Sequence, residues 1–147
     1  MLQDFLNDGV CYLEVRTTPR SIPASGISKE DYVRIVLDVV SYFCKSPQNA
    51  TVITGEEKKL HAKLILSIDR KNTLTEAMEI VALAAKYRDR GVVGIDICGN
   101  PTRKPISHLT PAFTEATAQG LAITLHFGEI PQTDSAELDL MLSLIHI

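Results

Sequence analysis

The chain has no excess of basic residues: 15 Lys and Arg stand against 18 Asp and Glu, for a net charge of −3 and a pI near 5.8. A surface that meets nucleic-acid phosphates in bulk, or an anionic membrane, needs the opposite balance, so neither partner is expected. Cysteine is scarce. Cys11, Cys44 and Cys98 are odd in number, widely spaced and never in a C-x-x-C pair. That argues against a disulfide framework or a cysteine zinc site, and for reduced, buried thiols in the cytosol. No apolar run approaches the roughly 20 residues of a membrane span, and no charged-then-apolar leader opens the sequence. No repeat or low-complexity tract appears. No Gly-rich phosphate fingerprint follows a strand, which counts against a dinucleotide-binding sheet.

What is present is an ordinary globular composition, 45% hydrophobic and 22% charged, over 147 residues, one domain's worth of chain. The pattern alternates strand and helix. Leu2, Phe5 and Leu6 give the apolar face of a short helix that stops at Gly9, and residues 10–15 (VCYLEV) read as a strand. A loop over 16–27 leads to Ser28 and Asp31, a capping box, with Ile27 and Tyr32 spaced as its hydrophobic staple. The helix behind it puts Tyr32, Ile35, Val36, Val39, Val40 and Phe43 on one face. Residues 46–59 read as a polar loop.

The second half follows the same order. Residues 64–68 (LILSI) are a strand. Thr73 and Glu76 cap a helix lined by Leu74, Ala77, Met78, Val81 and Ala85, which Gly91 ends. Residues 92–97 (VVGIDI) are the third strand. Thr110 and Pro111 open a helix in cap and first-turn positions, Gly120 closes it, and residues 121–125 (LAITL) are the fourth strand. Residues 134–142 begin one more helix.

Apolar strands separated by single helices make parallel βα units with strands buried on both faces. Either a barrel or a doubly wound sheet satisfies that pattern, and the polar residues decide between them. Arg16 to Arg20 follow the first strand, Asp69 and Arg70 the second, Gly99 and Asn100 the third, His126 and Glu129 the fourth. Reactive residues gathered at one end of successive strands are the habit of a barrel's C-terminal face. The expected fold class is α/β, a partial (β/α)8 TIM barrel, since four strands cannot close one. The last strand carries the sharpest signal. Its end delivers His126, and Gly128 lets the backbone turn so that Glu129 can face the same space. A neutral imidazole can ligate a metal, and a nearby carboxyl can move a proton. On those two residues alone, a strand-capping histidine and a solvated glutamate are the favoured reading.

Four segments together resemble one family. Residues 9–20 (GVCYLEVRTTPR), 64–70 (LILSIDR), 94–101 (GIDICGNP) and 125–129 (LHFGE) are similar to the N6-methyl-AMP deaminase branch of the metal-dependent adenosine/AMP deaminases. The Thr-Pro-Arg ending separates that branch from adenosine deaminase proper, while Phe127 stands where a small residue or serine is usual. The resemblance implies a partial (β/α)8 TIM barrel of the metal-dependent hydrolase type, about strands 2–5 with their helices. It also implies hydrolytic removal of the C6 amine or methylamine of a purine nucleotide, with one zinc ion as cofactor. His126 would be one zinc ligand, and zinc lowers the pKa of bound water to about 7. Glu129 would be the protonated acid that meets charge developing on N1. Gly99 would bring backbone against the purine. Thr17, Thr18, Pro19 and Arg20 would bind substrate, an Arg fork with hydroxyls suiting a 5′-phosphate. Asp69 would hold sugar or phosphate-adjacent groups.

Bland readings stand beside these. Arg20 taken alone is a solvated loop arginine. Asp69 can equally cap its own turn or pair with Arg70. Glu14 alternates inward and can be a structural partner of Arg16, and Asp96 is similarly ambiguous. His61 and His108 read as surface residues, and Met78, Tyr32 and Phe43 as core.

The family's other metal residues have no counterpart here: an upstream His-x-His, an Asp near the last strand, and a catalytic His on the sixth. His146 lacks the Gly-His-Gly setting of that catalytic His. Residues 142–147 (LSLIHI) resemble a translated sequencing adapter. The expected organisation is thus a partial deaminase domain over 1–141 with a non-native tail over 142–147. The parent protein is expected to be a monomeric cytosolic enzyme acting on a small-molecule purine nucleotide, and the 147-residue chain alone to be inactive and aggregation-prone. Rival readings are adenosine deaminase acting on the free nucleoside, a non-catalytic short isoform serving as a binding module, and a Schiff-base barrel enzyme. The last is disfavoured because no lysine ends a strand.

Overall fold

The computed structural model describes residues 1–53, 55–102 and 106–126. The chain divides into two compact units, Met1–Leu64 and Ile65–Ile147.

The first unit begins with α1 (Leu2–Asn7), which buries Leu6. The Val10 N–H returns to the Phe5 carbonyl at 3.0 Å, so Val10 belongs to the turn around Gly9 (φ 85°). Strand β1 therefore runs over Tyr12–Thr17, two residues later than the apolar run implies. It is not buried on both faces. Tyr12, Glu14 and Arg16 are exposed and the residues between them half-buried. Glu14 thus faces out, contrary to the inward placement its alternation predicts, and accepts a 2.6 Å hydrogen bond from the Tyr12 hydroxyl. That bond and the adjoining negative charge raise the Tyr12 phenol above its ordinary pKa. Cys11 is likewise exposed, and Cys44 and Cys98 are half-buried. None of the three is in a disulfide, and none is the buried thiol expected.

Helix α2 (Lys29–Lys45) starts at the predicted capping box. The Asp31 N–H donates to Ser28 Oγ at 3.1 Å, and the Ser28 N–H donates to Asp31 Oδ2 at 3.2 Å. Its buried stripe is Val33, Leu37 and Val40; of the expected face Tyr32, Ile35, Val36, Val39, Val40 and Phe43, only Val40 is buried. Ile35 is 46% and Val39 60% exposed. With Met1, Leu2, Val15 and Phe43 they border an open groove of about 660 Å³. Both stripes satisfy helical spacing, so periodicity alone cannot choose between them.

The predicted loop 46–59 holds a hairpin, β2 (Thr51–Ile53) and β3 (Glu56–Lys58), antiparallel and turned at Gly55 (φ 84°). Strands this short and polar carry too few alternations to register as a pattern. Asn49, 3% exposed, anchors the segment. Its amide donates to the Cys44 and Leu60 carbonyls at 3.0 and 2.9 Å and accepts from the Leu60 N–H at 2.8 Å. Three bonds to buried backbone make an Asn the fitting residue there.

β4 (His61–Asp69) carries the chain into the second unit, where α3 (Leu74–Lys86), β5 (Val92–Cys98), α4 (Thr110–Ala118) and β6 (Ala122–Thr124) follow. The strands lie in the order β4-β5-β6. β5 and β6 are parallel, with Gly94 opposite Ala122 and Asp96 opposite Thr124. A β-carbon on Gly94 would collide with the Ala122 carbonyl, so glycine permits this close pairing. β4 and β5 are buried through their middles as expected, from Leu64 to Ile68 and from Gly94 to Ile97. β6 is shorter than the expected 121–125 and half-exposed.

The core of this unit contains Leu66, Ile68, Ile80, Ile95, Leu109 and Phe113, each fully buried and worth about 1.5–3 kcal/mol of transfer free energy. α3 is capped at Thr73 and Glu76 as predicted but buries Ala77, Ile80, Val81, Leu83 and Ala84. Leu74 and Met78 are 38% and 37% exposed, so Met78 is not core. The α-helix ends at Lys86, and Gly91 (φ 112°) closes a 3₁₀ turn, Arg88–Arg90, placed after it. Thr110 is already helical rather than a cap, because a 3₁₀ turn over Ser107–Leu109 leads straight into α4.

Candidate functional site

In the first unit the candidate residues lie on the segment joining β1 to α2. β1 ends at Thr17, Thr18 is half-buried, Pro19 is buried and Arg20 is exposed. Pro19 fixes the backbone just before the arginine and offers no N–H of its own. The rest of the segment is built, not loose. Ile22 and Ile27 exchange backbone hydrogen bonds of 2.8 and 3.2 Å around a turn closed by Gly26 (φ 64°). Tyr32, on the first turns of α2, reaches back to the strand end. Its hydroxyl is 2.8 Å from Thr17 Oγ1, and the Arg20 guanidinium lies over its ring, 5.6 Å from the centroid. The structure thus brings Thr17 and Arg20 to one aromatic side chain, which sequence reasoning assigned to the core. The signal was present: an aromatic one residue past the capping box that follows the Thr-Pro-Arg loop.

Beside it, Asp31 accepts from the Ser28 backbone and hydroxyl and pairs with Arg34 at 2.8 Å. The Ser28 hydrogen bonds, side chain first, hold its carboxyl below the usual aspartate pKa of 3.8, with Arg34 adding to the effect. The Ser28 and Asp31 N–H groups are thus used by the cap, and Arg20 is an exposed cation of the loop that can meet an anion.

In the second unit the strand ends carry the other candidates. Asp69 Oδ1 accepts from the Lys71 N–H at 3.0 Å, and Oδ2 pairs with the Lys71 ammonium at 3.2 Å. Of its two bland readings, the turn-capping one is seen, and its ion pair is with Lys71. The Arg70 N–H donates to the Cys98 carbonyl at 2.9 Å, tying the ends of β4 and β5 together. Gly99 (φ 98°) follows immediately, and a β-carbon there would stand 2.7 Å from Asp69 Oδ1. Asp69 and Gly99 are thus adjacent across two strands. His108, read from sequence as a surface residue, is half-buried and bonds through Nε2 to the Asn72 carbonyl at 3.0 Å, bracing this turn. His61 is exposed as expected.

His126 lies two residues beyond β6, half-buried, with Nδ1 withdrawn from solvent. Asp96 is fully buried on the neighbouring strand, opposite Thr124. As a donor, a histidine at the C-terminal end of a parallel strand fits a single metal ligand. Among the described residues no group of three or more His, Cys, Asp or Glu side chains could hold a metal ion. Gly128, Glu129, the helix expected over 134–142 and the tail over 142–147 lie outside the described residues. No described helix is long and apolar enough to cross a membrane.

A segment with this order of strand-end residues on parallel βα units matches one family along most of its length. Residues 1–138 match adenosine deaminase, and the chain belongs to that family. It is 39% identical over 142 residues to the N6-mAMP deaminase of Arabidopsis thaliana, covering 89% of this chain and 40% of that protein. The apo structure of the Arabidopsis N6-methyl-AMP deaminase superposes with a TM-score of 0.81 at 41% identity, over 97% of this chain and 40% of that one. The structure of arabidopsis ADAL complexed with IMP superposes with a TM-score of 0.80 at 39% identity, over 97% and 42%. The α/β fold with its parallel strands is the barrel type predicted from sequence, of which this chain covers a part. It spans about 40% of the length of the curated relatives it matches.

Proposed function

We propose that the full-length protein carrying this chain hydrolyses N6-methyl-AMP, or a related N6-substituted AMP, to IMP and the free amine. One observation supports this above the others: the chain matches N6-methyl-AMP deaminases in sequence and fold along most of its length. The Thr17–Arg20 loop would take the 5′-phosphate. Arg20 supplies a fixed charge and a planar fork of donors, Thr17 and Thr18 supply hydroxyls, and Pro19 sets the backbone between them. Asp69 would meet the sugar side of the nucleotide. Gly99 would let the purine approach backbone where any side chain would intrude. His126 would be one ligand of a single zinc ion, whose chemistry is to activate water at neutral pH. Glu129 would donate a proton to N1 as water adds at C6, and the leaving methylamine departs with C6 becoming a carbonyl.

We read the enzyme as a cytosolic monomer. The chain by itself supplies one matched zinc ligand and would not turn over. The test is a comparison of kcat/KM for N6-methyl-AMP, AMP and adenosine with the full-length protein. The reading expects N6-methyl-AMP to lead. Preference for adenosine would replace it with a nucleoside deaminase, and no turnover of any of the three would favour a non-catalytic binding module.

A further inference from the structure

We infer that Tyr32 is a positioning residue for the nucleotide's 5′-phosphate and sets the preference for nucleotide over nucleoside, an inference that rests on the phosphate reading of the Thr17–Arg20 loop. Tyr32 touches both ends of that loop, with its hydroxyl 2.8 Å from Thr17 Oγ1 and its ring under the Arg20 guanidinium at 5.6 Å. It is itself held. It is the fourth residue of α2, its N–H donates to the Ser28 carbonyl at 3.0 Å, and Ser28 and Asp31 lock that first turn. One side chain therefore transmits the fixed position of the helix start to the Thr17 hydroxyl at the strand end and to the exposed Arg20 side chain.

The chemistry suits an anion. Arg20 is exposed, and an arginine on a long flexible stem loses rotamer freedom when it binds phosphate. Resting on an aromatic face, it has given up part of that freedom beforehand, so less is lost on binding. The hydroxyl pair works in the same direction. If Tyr32 donates to Thr17 Oγ1, the Thr17 proton is left to donate outward to a phosphate oxygen, and the two bonds polarise each other. A free nucleoside has no phosphate oxygens for either group to engage. Tyr32 then acts on the nucleotide alone.

The experiment measures dissociation constants of IMP and inosine by calorimetry for the full-length wild type and its Y32F, Y32L and R20A variants. Y32F keeps the ring and loses the hydroxyl; Y32L loses both. IMP binding is expected to weaken about 3-fold in Y32F and about 10-fold in Y32L, with inosine changing less than about 2-fold. Equal weakening of IMP and inosine would mark a merely structural tyrosine and overturn the inference. If R20A weakens IMP selectively while both Tyr32 variants bind it like the wild type, the inference fails and the loop reading survives. If R20A leaves the IMP-to-inosine ratio unchanged, the loop reading fails and takes the inference with it. Y32F, which retains the half-buried ring, keeps the test decisive should Y32L not fold.

Discussion

The carboxylate of Asp69 occupies the space that a side chain on Gly99 would need: a β-carbon there would stand 2.7 Å from Oδ1, on a backbone with φ 98°. Gly99→Ala should therefore destabilise the full-length protein by about 1–3 kcal/mol, from left-handed strain and the clash together. In an Asp69→Ala background the 2.7 Å clash is gone, leaving the backbone strain and a 3.3 Å approach to the Arg70 backbone nitrogen, so the same substitution should cost measurably less. Urea denaturation of the four proteins gives the coupling. A Gly99→Ala cost that is identical in both backgrounds would show that Asp69 is not the obstacle.

Asn49 should matter more to stability than its loop position suggests. Its side chain satisfies the Leu60 N–H and two carbonyls in a site only 3% exposed. Asn49→Ala should cost about 2–3 kcal/mol, and Asn49→Asp more, since a carboxylate would face the Leu60 and Cys44 carbonyls with no proton to give them. Thermal melts of both variants against wild type check the order as well as the size.

Asp31 should leave a pH signature. Its native pKa lies below the 3.8 of the unfolded chain, so the folded state favours the ionised carboxyl. That stabilisation is fully present above 3.8 and is lost as pH falls through the lower native value. The stability gap between wild type and Asp31→Asn should be constant near neutrality and should close as the solution is acidified below that point. Denaturation curves in a pH series measure it. A gap that widens on acidification would mean the shift has the opposite sign.

Glu129 is assigned the proton to N1. Glu129→Gln keeps the size and removes the acid, so kcat should fall by about 10²–10⁴ while IMP still binds. A variant that retains near-normal kcat would place the acid elsewhere.

How far these features could be read from the sequence depended on their range. Both capping boxes were legible because Ser28 with Asp31 and Thr73 with Glu76 are local patterns whose physics is complete within four residues. The buried faces of α2 and α3 were legible only in part, at Val40, Ala77 and Val81, because in α2 Val33 and Leu37 share their helix with a second apolar stripe of the same period. Strand order and the polar strand ends followed from alternation, yet the exposure of Glu14 and the shortness of β6 depend on which neighbours each strand has. The candidate residues were named from motifs, but the links among them were hidden. Tyr32 meets Thr17 across fifteen positions and Gly99 meets Asp69 across thirty, distances at which side-chain geometry rather than spacing decides.

The most direct test is methylamine release from N6-methyl-AMP by the full-length protein, measured as isolated, after treatment with a metal chelator, and after zinc is restored. The account predicts turnover that chelation abolishes and zinc returns. Turnover indifferent to chelation, or ammonia release from adenosine with none of methylamine from N6-methyl-AMP, would contradict it.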